Sequence, residues 1–135
     1  MTRRSIVLIR LPEGLALFDG HFIDMPLGDS DFGCLWHQAA TRAVEKKLPG
    51  FRVRKDFFLV PLLGFSMHKL SDGSVVQAFL AIFRTDPTAA LSNAGAVVVD
   101  WSTICDRQLD NDSTKEIGLA LPKGVEKLAL SWRPV

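Results

Sequence analysis

The run Asp31-Phe32-Gly33-Cys34-Leu35-Trp36-His37-Gln38-Ala39-Ala40-Thr41-Arg42-Ala43-Val44-Glu45-Lys46-Lys47-Leu48 carries the one strong helical period of the chain. Phe32, Leu35, Trp36, Ala39, Ala40 and Ala43 recur at the spacing of an α-helix, which makes a single apolar stripe. Ahead of it, Asp29 or Ser30 can accept hydrogen bonds from the first N–H groups of the helix, and Asp31 adds negative charge to its first turn. Lys46 and Lys47 suit the negative end of the dipole, and Pro49-Gly50 stops the helix. Cys34, Gln38, Thr41 and Glu45 fall on the opposite, polar face, with His37 at the flank.

On both sides of this helix the period is that of strands. Ser5 to Leu11 is β-branched and apolar and ends at Pro12-Glu13-Gly14, and Leu15 to Phe18 reads as a second short strand before Asp19-Gly20. Past Pro49-Gly50, Phe51, Val53, Phe57 and Leu59 alternate with mostly polar residues, which predicts a strand over 51–59. Pro61 interrupts before a strand over 62–70. Ser71-Asp72-Gly73-Ser74 then reads as a hairpin turn, because Asp-Gly accepts the positive φ such turns require. The return strand, Val75 to Phe83, is apolar except at Gln77, as expected of a central strand covered on both faces. Asp86-Pro87 predicts a capped short helix through Leu91, Ala96 to Cys105 a further strand, and Leu119–Leu121 with Val125–Trp132 a last hairpin.

One main amphipathic helix packed on a mostly antiparallel sheet of about six to eight strands is an α+β fold, and 135 residues suit a single domain over 1–135. The helix covers one face of the sheet. Because Val75 to Phe83 also points apolar side chains at the other face, a second copy of the chain is the expected cover, and a homodimer is expected.

Composition excludes more than it selects. At 47% hydrophobic and 23% charged, the chain is globular rather than disordered in character. A formal net charge of +1 gives no global attraction for nucleic acid or an anionic membrane. No stretch approaches the roughly 18 apolar residues of a membrane-spanning helix. Cys34 and Cys105 form no CxxC or Cys/His ligand pattern, so reduced thiols in a cytoplasmic protein are expected. Gly-rich phosphate loops, the nucleophile elbow and the dinucleotide fingerprint are all missing from the sequence, and no cofactor is expected.

The richest chemistry lies in Leu17-Phe18-Asp19-Gly20-His21-Phe22-Ile23-Asp24-Met25-Pro26. An imidazole at His21, between an apolar strand and the helix, could act as a general base oriented by Asp24 or Asp19. The plainer alternative is a turn at Asp19-Gly20 with His21 serving the loop backbone.

Gly20-His21-Phe22-Ile23-Asp24-Met25-Pro26, followed by Gly33-Cys34-Leu35 opening a helix, resembles the active-site segment of the hotdog-fold acyl-thioester dehydratases and thioesterases. The resemblance spans roughly 20 residues, a short match. It implies a dimer, a histidine acting beside the thioester at His21, and N–H groups at Gly33 and Cys34 polarising the carbonyl. The chain departs from the family pattern in having Leu27-Gly28-Asp29-Ser30-Asp31-Phe32 where the family has Pro-Gly. The position of the family's acidic partner then falls near Gln38.

Other constellations are weaker. His21, Asp24, Asp29, Asp31 and His37 lack the HxxxH or HExxH spacing that fixes two ligands on one helical face, and no metal is expected. Cys34 beside a helix start has His37 three residues on, but no orienting third group. Arg42, Lys46, Lys47, Arg52, Arg54 and Lys55 make a basic stretch in which Phe51 could stack on a base. A solvated helix end and a charge-protected edge strand account for the same residues, so nucleic acid is the less expected partner. The leading expectation is a small soluble domain that binds an apolar small molecule or a protein, at a pocket near Phe18, Phe22, Gly33, Cys34, Trp36 and His37. The second is a hotdog-type enzyme with His21 as base.

Overall fold

Arg3–Leu11 forms β1, Gly14–Phe18 β2 and Ile23–Leu27 β3 in a computed structural model that describes residues 3–11, 13–27, 35–62 and 68–100. Leu35–Lys47 is helix α1, followed by β4 (Phe57–Pro61), β5 (His68–Lys69), β6 (Val75–Phe83), helix α2 (Thr88–Asn93) and β7 (Ala96–Asp100). The class is α+β, as the alternation of periods predicts.

The strands form one mixed sheet in the order β4-β6-β1-β2-β7, with β3 also on β1 and β5 also on β6. β1 and β6 are parallel, from Arg3 opposite Val75 to Ile9 opposite Ala81. The other ladders among the described residues are antiparallel. The free edge of β1 is divided: β2 pairs with Arg10 and Leu11, and β3 pairs with Arg3 to Val7. Between those two pairings β2 swings away to run beside β7. At that departure the backbones come very close. A Cβ added to Gly14 would sit 1.8 Å from the carbonyl oxygen of Val99, so only glycine fits.

Alternation along the strands divides the core in two. Val7, Ile9, Ile23, Phe57, Phe79, Ala81 and Phe83 face α1, while Ile6, Leu8, Phe22, Val76, Ala78, Leu80 and Ile82 face away from it. All nine residues of β6 are buried, Gln77 included, as its nearly continuous apolar run predicts. Both faces are therefore buried within one chain. The second apolar face of β6, from which the homodimer is expected, is thus covered without a second copy.

The helix carries its stripe slightly rotated from the expected one. Ala40, Ala43, Val44 and, just beyond the end, Leu48 are buried, with Trp36 partly buried beside them. The full repeat is thus Trp36, Ala40, Ala43, Val44 and Leu48. Gln38 is exposed, and Thr41 and Glu45 are half-buried. Asp29, Ser30, Asp31, Phe32, Gly33 and Cys34 lie outside the described residues, as do the strands expected over 101–105, 119–121 and 125–132.

Two boundaries differ from expectation. The segment after Asp19-Gly20 is a strand, β3, and not a loop leading to the helix. Residues 51–56 are a turn, and the strand begins only at Phe57. Asp56 accepts from the backbone N–H of Arg52 at 2.8 Å, its own N–H donates to the carbonyl of Arg52, and Arg54 N–H donates to the carbonyl of Phe57. Arg54 is left at φ 71°. The alternation breaks at Lys55, where an apolar residue would be needed for a continuous strand face. The Asp72-Gly73 turn forms as expected: Leu70 N–H donates to the carbonyl of Ser74, and Gly73 takes φ 89°. α2 starts at Thr88, with Pro87 just before it rather than as its first residue, and Asp86 accepts from Thr88 N–H at 2.9 Å.

Candidate functional site

Asp19 and Gly20 both have positive φ, 53° and 79°, and Phe18 and His21 exchange two backbone hydrogen bonds across them at 2.7 and 3.0 Å. This is the two-residue hairpin turn for which Asp-Gly is suited. Asp19 and Gly20 form its tip, and His21 pairs with Phe18 at its base, with the His21 side chain exposed.

The turn also breaks the parity of the strand. Phe18 lies in the core half that faces α1, whereas Phe22, four residues on, lies in the half that faces away. The structure therefore does not bring Phe18, Phe22 and Trp36 to one wall. Phe18 and Trp36 share the helix side, where the Lys47 ammonium sits 5.4 Å from the Phe18 ring centre. His37 is exposed on α1 yet meets Phe79 edge-on, with ring centres 5.6 Å apart. Gly33 and Cys34 lie outside the described residues.

Asp24 is committed elsewhere than to His21. Its carboxylate accepts from Arg4 Nε at 2.9 and 3.2 Å, and from Arg4 Nη2 as well. Among the described residues no hydrogen bond joins His21 to Asp24 or Asp19. Arg4 further donates to Ser74 Oγ at 3.3 Å and lies 3.8 Å from an Asp72 oxygen. Ser74 is buried and in turn donates through both N–H and hydroxyl to Asp72, at 2.8 and 2.6 Å. Those two bonds hold the Asp72 carboxyl below the usual carboxylate range. The hydrogen bond to Asp24 raises the Arg4 pKa against the opposing effect of burial.

This Arg4–Asp24–Ser74–Asp72 chain ties β1, β3 and the β5–β6 hairpin together on the face away from α1. Only its Asp72–Ser74 end is local; Arg4 lies 20 residues from Asp24, 68 from Asp72 and 70 from Ser74, so no motif in the sequence joins them.

The basic stretch emerges clearly. Arg42, Lys46, Lys47, Arg52, Arg54 and Lys55 are all exposed. Phe51 is no stacking platform: it is half-buried and packs edge-on against Phe83 at 5.6 Å. Among the described residues, no group of three or more His, Cys, Asp or Glu side chains is placed to hold a metal ion, and no helix is long and apolar enough to cross a membrane. Compared with protein-family models and with curated proteins, the chain matches none.

Proposed function

We propose that this chain is a non-catalytic binding domain whose partner is a protein surface, met at the β7 margin of the sheet, the simplest such partner being a second copy. The observation that carries the reading is the exposure of Val97, 65%, beside Val98 at 36%. Successive strand residues point to opposite faces, so both faces of β7 present valine to water. Among the described residues β7 has β2 as its only ladder partner. A copy paired antiparallel about Val98 sets Val97 opposite Val99 and Ala96 opposite Asp100, with no like charges facing. The dispersal of Phe18, Phe22 and Trp36 over two core halves favours this over a small apolar ligand. Sedimentation of the wild-type chain and of Val97→Lys tests it. Concentration-dependent association that the substitution removes supports the reading; a monomer at every concentration reached, or association untouched by Val97→Lys, defeats it.

A second reading is a hotdog-type enzyme acting on acyl thioesters with His21 as base. It is favoured by the placement of β3, the strand that follows His21, as the main support on which α1 lies. Turnover of an acyl-CoA panel that His21→Ala abolishes would establish it. Turnover unchanged by that substitution would remove His21 from the chemistry.

A further inference from the structure

The expectation that the basic stretch is merely a helix end and an edge strand shielded by charge loses half its basis once 51–56 is a turn. Lys46 and Lys47 complement the helix dipole. Arg52, Arg54 and Lys55 protect no strand edge, because the ladder begins at Phe57.

The turn is pinned against the helix. Glu45, on the same face of α1 as Arg42 and Lys46, accepts from the backbone N–H of Val53 at 3.3 Å. Asp56 is turned inward on Arg52 N–H, and its carbonyl receives Arg84 N–H at 2.8 Å, which adds the exposed Arg84 to the same surface. The two carboxylates of the region are thus bound to backbone rather than set against the cations. Among the described residues none of these cations is in an ion pair. Of the 11 Lys and Arg among the described residues, seven lie on the helix end, the turn and Arg84, where Glu45 and Asp56 are two of the eight described Asp and Glu; four cations and six anions make up the rest. Among the described residues the charge is therefore unevenly spread, with a local excess of cations here. Arg54 is also kept at a left-handed φ of 71°, where glycine would be easier. That choice favours the side chain over the backbone.

We infer that this surface, independently of the β7 reading, contacts the phosphate backbone of nucleic acid without reading base sequence. Four of the seven cations are arginines, whose planar fork suits phosphate oxygens. The rings at hand are spent, with Phe51 on Phe83 and Phe18 under Lys47, so base stacking plays no part. A membrane surface fits less well, since the apolar stripe of α1 is already consumed by the core.

The test is fluorescence anisotropy of the whole chain with a labelled random-sequence DNA duplex across a salt series. Five to seven phosphate contacts give a slope of log K on log salt of about −4.5 to −6, or a loss of roughly a thousandfold between 50 and 200 mM salt. Arg42→Glu with Arg52→Glu and Lys55→Glu should abolish binding. Arg54→Gly, which relieves the left-handed backbone, should weaken it severalfold while the chain stays folded by circular dichroism. Lys69→Glu, on the distant hairpin, should lose no more than twofold. Three outcomes overturn the inference: no binding at 50 mM salt; equal loss in Lys69→Glu; or tighter binding to phosphatidylserine vesicles or polyglutamate than to duplex, which would assign the surface to lipid headgroups or acidic protein instead.

Discussion

β6 and β7 are both strands of mostly apolar residues, Val-Val-Gln-Ala-Phe-Leu-Ala-Ile-Phe and Ala-Val-Val-Val-Asp, and they meet opposite fates. β6 is buried along its whole length, whereas no residue of β7 is fully buried. The cause is position: β6 lies between β1 and β4, while β7 hangs from β2 at the far end of the sheet. Apolar composition declares that a strand can be buried, and sheet order decides whether it is.

The contrast can be broken most forcefully at the centre. Phe79→Ala should cost about 3–5 kcal/mol in urea unfolding, because the ring is 3% exposed and fills the core under α1. A loss under about 1 kcal/mol would mean that β6 is less central than its burial indicates. Gly14→Ala sharpens the picture at the margin. The added methyl meets Val99 backbone, costs about 1–3 kcal/mol, and should strip hydrogen-exchange protection from 96–100 while β6 keeps its own.

The Arg4–Asp24 pair fastens β3 to β1 near the protein's surface, and a double-mutant cycle between Arg4→Ala and Asp24→Ala should return a coupling of about 1 kcal/mol. At Asp72 the effect is smaller and pH-dependent. Its carboxyl is held below the usual range by Ser74, so its contribution is in place above about pH 4 and is lost as pH falls through the folded-state value. Urea midpoints from pH 6 to 3 should show that part of the acid-side loss missing in Asp72→Asn. Smallest of all, Val97→Ala should move stability by under about 0.5 kcal/mol, since its side chain is largely in water already.

Much of this arrangement was legible in the residues. The run Val75 to Phe83 announced a strand covered on both sides, and Asp72-Gly73 announced the turn before it. The failures have physical causes. β3 was hidden because Asp19-Gly20 reads equally as the end of structure or as a tight hairpin, and Pro26 argues against a strand. The turn at 51–56 was hidden because Phe51, Val53, Phe57 and Leu59 are in phase with one another while Lys55 is not. Val44 and Leu48 belong to the buried side of α1 but lie beyond the Phe32-to-Ala43 stripe that the sequence displays.

The candidate site was less readable than the fold. Phe18 and Phe22 share parity in the sequence and part company in space, since two inserted turn residues reverse the strand. Arg4 claims Asp24 from 20 positions away, a pairing that only the β1–β3 register creates.

The parallel ladder between β1 and β6 has a further consequence during synthesis. Arg3 to Val7 can pair with β3 early, but the parallel partner of Arg3 to Ile9 is absent until Val75 to Ala81 have been made. At about 5–20 residues per second, β1 waits roughly 4–14 s for that second neighbour. Nascent chains stalled before Val75 should therefore be more protease-sensitive along β1 than chains that have passed Ala81.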